Sequence, residues 1–357
     1  MNRAFEQFSD VKIIECDDFL SALPELAATG NILLITSQSF SQRGLVKQVV
    51  DTLGSTRVHV FDQVTPNPEK AHLSSHVTRF MQSKITHVIA LGGGSVIDAA
   101  KIFCALLSHP TLSLDDLLSV ASVENKLNLI AVPTTSGTGA EVTPFATVWQ
   151  SDIARKYSLY GIRPNVALLD PSLTLSLSVE QTLYPALDAL SHALESQWNV
   201  NNTEQSSVYA VLAINLVCDN LPLALVDPSD LVARKNLQVA ATCAGIAISI
   251  TKTALAHAMS YPVTLQFGVP HGLACSFTLL SILNTFGSDK LNLSADLAVK
   301  VAQLLESLDL PSELERFVDW KTLTSQLNIT LDPSRAGNFV VDVEDIKVMD
   351  ILQGAKA

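Results

Sequence analysis

Up to about residue 172 the chain alternates short aliphatic runs with helical stretches, and this limits its fold more than any other feature. NILLITS, STRVHVFD, ITHVIALGGG, LNLIAVPTT and VALLDP are short, apolar and closed by Gly, Pro or polar turns, which reads as strands. EKAHLSSHVTRFMQSK and SVIDAAKIFCALLS between them read as helices. Continuously apolar strands separated by helices predict a parallel sheet covered on both faces, with ligands beyond the carboxyl ends of its strands. After DPSLTLSL the pattern changes. SVEQTLYPALDALSHALESQWN, SSVYAVLAINLVCDNLPLAL and DLVARKNLQVAATCAGIAIS keep helical periodicity without strand alternation. The expected architecture is α/β: a Rossmann-like parallel-sheet domain over 1–172, then an all-helical domain over 173–357, with the boundary near Pro171.

Composition narrows the function. At 357 residues, 48% hydrophobic and 16% charged, the chain can bury two cores. Its net charge of −12 lacks the concentrated basic face that phosphate backbones need, so no nucleic-acid partner is expected. The apolar runs are interrupted before the roughly 20 residues of a membrane span. MNRAFEQFSDVK lacks the regions of a signal peptide. Five scattered cysteines without a CxxC read as reduced thiols of a cytoplasmic protein.

Two loops carry nucleotide chemistry. In THVIALGGGSVIDAAK, Gly92, Gly93 and Gly94 lie between a strand and a helix, where the backbone can turn sharply and a phosphate can approach it. Ser95 is placed to cap the helix, and Asp98 three residues on completes a capping-box pattern. The segment is not GxGxxG, since Ile97 holds the third position, and a tight βα turn without ligand has the same spacing. PTTSGTGAEVTPFA follows the next strand; its hydroxyls, Thr134, Thr135 and Thr138 among them, suit a diphosphate or a ribose. Alone it also reads as a surface loop. Two such loops after successive strands favour a dinucleotide over a lone phosphate.

Asp188 and His192 stand four apart in YPALDALSHALES, so a carboxylate and an imidazole share one helical face. His257 and His271 lie in ALAHAMSYP and FGVPHGLACS, each an otherwise apolar stretch. One carboxylate and three imidazoles are ordinary ligands for Zn(II) or Fe(II). Spacing alone leaves the alternative that the four never meet.

VFDQVTPNPE, LGGGSVIDAAK, AVPTTSGTGAEVTPFA, ALLDPSLT, DALSHALES and PHG, in that order along nearly the whole chain, resemble the signatures of the iron-type (group III) alcohol dehydrogenase superfamily. The resemblance implies a dehydroquinate synthase-like architecture, with a catalytic metal in a cleft between a dinucleotide-binding domain and a helical one. It also implies a homodimer. By resemblance Asp188, His192, His257 and His271 hold one divalent metal, Fe(II) or Zn(II). Gly92, Gly93, Gly94, Ser95, Thr134, Thr135 and Thr138 fall on nucleotide-contacting positions. The activity implied is NAD- or NADP-linked interconversion of a small alcohol and its aldehyde.

Three positions depart from the family pattern. A second histidine often follows the third ligand by four residues; here Tyr261 stands there, as a proton relay or substrate hydrogen bond, or as packing alone. An aspartate often ends the second-strand motif in NAD-preferring members; Ser37 replaces it, which removes repulsion against a 2′-phosphate and leaves NAD and NADP both open. Lys252, five residues before His257, resembles a feature of a phosphonoacetaldehyde reductase branch and suggests an anionic substrate tail; a lysine snorkelling to the surface fits equally. Two other functions stay open on this architecture: a dehydroquinate synthase-like lyase using metal and NAD, and a non-catalytic nucleotide-binding protein.

Overall fold

The computed structural model describes residues 10–153, 155–327 and 331–356, together with Phe5, Phe8 and Ile329. Its described residues cluster into two compact units. One runs to Thr135 and resumes over Ala140–Leu175; the other comprises Ser136–Gly139 and the chain from Ser176 onward.

The first unit is built on a six-stranded sheet of β1 (Lys12–Glu15), β2 (Asn31–Ile35), β3 (Val58–Phe61), β4 (Ile85–Gly92), β5 (Asn128–Pro133) and β8 (Val166–Leu169). Spatial order is β1-β8-β5-β4-β2-β3, and every pairing is parallel. The apolar runs explain the burial. Ile32, Leu33, Leu34 and Ile35 of β2 lose all exposure, because helices cover both faces of a parallel sheet. Their side chains divide between two core clusters, Leu33 and Ile35 in one, Ile32 and Leu34 in the other, as a period of two requires.

Three strands lie outside the sequence reading. β1 is only four residues long and begins with an exposed lysine. β6 (Phe145–Gln150) and β7 (Arg155–Tyr160) form a separate antiparallel pair, and the half-exposed RKYSLY of β7 lacks the apolar continuity of the sheet strands.

The helix after β4 runs Gly94–Ser108 with Gly93 as its N-cap and no side-chain cap. This corrects the capping-box expectation: Ser95 lies inside the first turn, where its hydroxyl accepts weakly from the Asn67 N–H at 3.4 Å. The Asp98 carboxylate accepts the Thr147 N–H at 3.0 Å instead. Burial raises its pKa, against the opposing charge of Lys101 and that N–H. Lys101, one turn on and fully buried, donates to the carbonyls of Thr143 (2.8 Å) and Phe145 (2.6 Å). Burial pushes its pKa down to about 8. Asp98 and Lys101 thus pin the chain that follows the Thr134–Thr138 loop.

The second unit contains helices Val179–Gln197, Glu204–Val226, Leu231–Thr251 and Leu255–Phe267, and no strand among its described residues. Ser178 and Gln181 form a reciprocal capping box on the first, bonding each other's backbone at 3.2 and 3.3 Å. Glu204–Val226 is long and apolar enough to cross a membrane, contrary to the reading of interrupted runs. Its Tyr209, Ala213, Ile214, Val217 and Leu221 are buried within the unit, which accounts for the apolar content by core packing.

Candidate metal centre and glycine loops

Asp188 and His192 project from successive turns of the Val179–Gln197 helix, both buried. His257 sits in the first turn of Leu255–Phe267, after a bend of 107° from the preceding helix. His271 opens the short His271–Ala274 helix. There Gly272 is required by close approach: a Cβ on it would come within 1.8 Å of the Tyr184 carbonyl, one turn before Asp188.

The four side chains meet. Asp188 Oδ1 lies 3.6 Å from His192 Nε2, 3.5 Å from His257 Nε2 and 3.8 Å from His271 Nε2. Donors about 2.1 Å from a tetrahedral centre stand roughly 3.4 Å apart, so these separations suit one shared cation better than direct hydrogen bonds. His257 Nε2 is buried without a hydrogen-bond partner, as expected of a nitrogen that keeps its lone pair for a metal. The His192 and His257 rings stack at 4.7 Å and 15°, and His271 meets His257 edge-on at 5.3 Å and 73°.

A carboxylate outside the predicted set orients this cluster. Glu195, fully buried, accepts from His257 Nδ1 at 2.5 Å and from the His257 backbone N–H at 3.1 Å. With the Nδ1 proton engaged, Nε2 is the ligand nitrogen. Its signal in the sequence was its place in HALE, one turn beyond His192.

Cys275 is a second residue that the sequence reading passed over. Donor atoms of Asp188, His257, His271 and Cys275 all lie within 4.8 Å of one another. Its thiol is 3.5 Å from Asp188 Oδ1. Burial, then the charges of Asp188 and Glu195, hold that thiol well above its usual pKa. His192 Nε2, 3.6 Å from Asp188 Oδ1, completes a set of one carboxylate and three imidazoles, the ordinary ligands of Fe(II) or Zn(II). The cluster's fields are strong. Burial works to raise the Asp188 pKa, but His192, His257 and His271 together outweigh it and keep the carboxyl far below its usual range. Burial likewise opposes protonation of His257, yet Glu195 and Asp188 prevail and push it up to about 9.

The Tyr261 ring lies 6.1 Å from that of His271, nearly parallel at 14°. Burial, and to a lesser degree Glu195, Cys275 and Asp188, raise its phenol pKa against the opposing charge of Arg335. It therefore remains a protonated phenol at neutral pH, a hydrogen-bond donor and not a base. Lys252 shows no contact with this cluster. Its side chain is exposed and makes no hydrogen bond or ion pair among the described residues. The residue is the C-cap of Leu231–Thr251 at φ 64°, and its carbonyl accepts from Asn199 Nδ2 at 3.1 Å.

In the first unit, β4 and β5 end side by side. Gly92 pairs with Pro133, and the Thr134 N–H donates to the Gly92 carbonyl at 3.1 Å. The two loops therefore touch: a Cβ on Gly93 would stand 2.9 Å from Thr135 Oγ1. Gly94 and Ser95 form the first turn of the 15-residue helix, whose N-terminal N–H groups are open to an anion. Thr134 is buried and Thr135 half-buried. Thr138 is exposed in the Ser136–Gly139 segment, which clusters with the second unit. Ser37, after β2, is the N-cap of Gln38–Gln42, its hydroxyl 2.9 Å from that of Ser39.

Residues 11–171 match the family "iron-containing alcohol dehydrogenase", and residues 182–306 match the C-terminal region of the Fe-containing alcohol dehydrogenase family. The chain is 38% identical over 204 residues to the phosphonoacetaldehyde reductase of Streptomyces viridochromogenes, a match covering 55% of this chain and 52% of that protein. It thus spans about half the length of that relative. Long-chain-alcohol dehydrogenase 1 of Geobacillus thermodenitrificans is 32% identical over 318 residues, covering 83% of this chain and 78% of that one. The crystal structure of an iron-containing alcohol dehydrogenase from Thermotoga maritima superposes with a TM-score of 0.82 at 28% identity, covering 98% of each chain. The fold, the ordered motifs and these matches agree that the chain belongs to the iron-containing alcohol dehydrogenase family.

Proposed function

We propose that this protein is a metal-dependent, NAD(P)-linked oxidoreductase that interconverts a short aldehyde and its alcohol, with phosphonoacetaldehyde as the favoured substrate. The observation that carries the reading is the convergence of three imidazole Nε2 atoms within 3.5–3.8 Å of Asp188 Oδ1. When bound, a divalent metal supplies a Lewis acid for the substrate oxygen and a nicotinamide supplies or receives the hydride. The chain's own residues do the rest. Asp188, His192, His257 and His271 hold the metal, and Glu195 fixes the tautomer of His257. The protonated Tyr261 phenol lies on the ring stacked beside His271, next to the donor set. Backbone N–H groups at Gly93, Gly94 and Ser95 receive the diphosphate of the cofactor, flanked by Thr134 and Thr135. The phosphonate preference is supported by the 38% identical relative.

The test is a panel of phosphonoacetaldehyde, acetaldehyde and propanal with NADH and with NADPH, after loading Fe(II), Zn(II), Ni(II) or Mn(II). Stoichiometric oxidation of NAD(P)H that requires the metal supports the reading. Turnover of a sugar-acid substrate without net cofactor oxidation would instead indicate the lyase chemistry of a dehydroquinate synthase-like enzyme.

A further inference from the structure

A cation outside the predicted set stacks on Tyr261, the ring next to His271. Arg335, on the short helix Pro333–Ala336, places its guanidinium carbon 4.4 Å from the centre of the Tyr261 ring. Tyr261 in turn lies parallel to His271. Of the four candidate ligands His271 is the most open, its side chain 37% exposed against 2–7% for the others, so the quartet meets solvent at His271.

Arg335 is held but not saturated. Its nearest carboxylate, Asp332, is 3.9 Å away, and none of its five N–H groups makes a hydrogen bond among the described residues. Asp332 is itself engaged at the helix start, accepting from the Ser334 N–H at 2.9 Å and from its hydroxyl at 2.7 Å. The segment is tied at several points to elements that carry the ligands. Asn338 Nδ2 donates to the Thr253 carbonyl at 2.9 Å, in the turn before the His257 helix. Val340 N–H donates to Trp198 at 3.1 Å, just past the His192 helix. Pre-organisation of this kind reduces what a side chain loses on binding.

The surrounding charge gives the cation its role. Asp188 and Glu195 are buried acids, and the chain as a whole carries −12. The charge of a divalent metal would be offset by these two carboxylates, so an anionic tail gains from a further fixed cation, whereas a neutral aldehyde has no use for one. The planar guanidinium offers a two-pronged fork that matches two oxygens of an oxyanion. We propose that Arg335, seated on Tyr261 beside His271, is the specificity residue that receives an oxyanion tail one carbon removed from the reacting carbonyl. This rests on the oxidoreductase reading for the reacting end of the substrate, and replaces Lys252 with Arg335 at the other.

The experiment compares wild type, Arg335→Met and Arg335→Lys in the full chain, with thermal melts to check folding. Calorimetric binding of 2-hydroxyethylphosphonate and of 1-propanol is measured on metal-free and metal-loaded protein; KM and kcat are measured for phosphonoacetaldehyde and propanal. Arg335→Met should weaken phosphonate binding and raise the phosphonoacetaldehyde KM by about ten- to a hundredfold, the range of a lost charged hydrogen-bond pair. The propanal KM should stay within about twofold, and Arg335→Lys should recover part of the loss. Equal changes for both aldehydes, unchanged phosphonate affinity in Arg335→Met, or wild type binding the phosphonate no better than 1-propanol would each overturn the assignment. The calorimetric arm needs no turnover. Failure of every aldehyde to react would count against the oxidoreductase reading, and phosphonate binding would still decide the role of Arg335.

Discussion

In the helical unit the candidate centre is assembled from side chains. Asp188, His192, His257 and His271 come from three helices, and a fifth residue, Glu195, holds one of them. In the sheet unit the candidate phosphate site is assembled from backbone, at the carboxyl ends of β4 and β5, and its glycines contribute by what they lack. The two therefore fail differently. A side-chain site loses its ligand when one donor is replaced, whereas a backbone site is lost when a side chain is added. Asp188→Asn should accordingly reduce metal content from near one per chain to near zero by elemental analysis. It should also lower kcat/KM on the order of a thousandfold, since a Lewis acid contributes several kcal/mol. NAD(P)H binding, followed by fluorescence, should be unchanged. Gly93→Val should do the reverse: metal content stays, and cofactor affinity falls by roughly ten- to a hundredfold, because added methyls enter the space of Thr135 Oγ1 and the phosphate approach. Loss of metal in Gly93→Val, or of cofactor in Asp188→Asn, would break the separation.

The next effect in size isolates the support of the side-chain site. Glu195→Gln keeps shape and one acceptor but no charge opposite His257 Nδ1. Removing such outer partners typically costs ten- to a hundredfold in metal affinity, so competition with a chelator should show a loss of about that size. Asp98 and Lys101 support the chain beyond the second loop in the other unit, so Asp98→Asn should leave metal affinity unaltered. An unchanged metal affinity in Glu195→Gln would reduce Glu195 to a core residue.

The same contrast explains what could be read from the sequence. Five of the six sheet strands and the glycine turn were legible because continuous apolar runs and Gly-Gly-Gly are local signals; the short, half-exposed β1 has no such run. The ligands Asp188 and His192 were legible as an i, i+4 pair on one face. Glu195 and Cys275 were not singled out, though each lies one turn from a ligand, because a carboxylate or thiol in an apolar helix has no pattern of its own. Arg335 was beyond reach: it stands 74 positions after Tyr261 in the sequence and meets it only through the packing of a four-residue helix. Ser95 misled because its spacing to Asp98 fits a capping box, whereas the N-cap is Gly93, two residues earlier, and Asp98 serves the chain at Thr147.

Protons sharpen the contrast further. His257 is raised to about 9 in the metal-free fold from about 6.5 in an unfolded chain. The stability contributed by its charged form is complete below pH 6.5 and is lost as pH rises through 9. The metal-free protein should therefore melt several degrees lower at pH 9 than at pH 6.5. Metal binding must displace that proton, so apparent affinity should climb across the same window. Loaded protein should show little of the fall in melting temperature. The glycine loops themselves carry no titratable side chain; the group near them that titrates in this window is Lys101, held at about 8, which ties the chain beyond the second loop. A melting temperature of the metal-free protein that is independent of pH between 6.5 and 9 would remove His257 as the titrating group.

The smallest effect concerns the two cations on which an anionic tail could depend. Lys252 at φ 64° and ψ 176° occupies a region that glycine enters freely and other residues enter at about 1–3 kcal/mol. Lys252→Gly relieves that strain but adds roughly 0.5–1 kcal/mol of unfolded-chain entropy, so the net gain should be about 1 kcal/mol or less. Denaturant unfolding should show a slightly higher midpoint with an unchanged slope. Because the Lys252 side chain is exposed and unpaired among the described residues, the phosphonoacetaldehyde KM should move less than twofold. A tenfold rise in that KM, with the propanal value fixed, would return the anionic tail to Lys252. A flat response, set beside a large one in Arg335→Met, would assign the anionic tail to the stacked guanidinium and leave Lys252 with the strained turn alone.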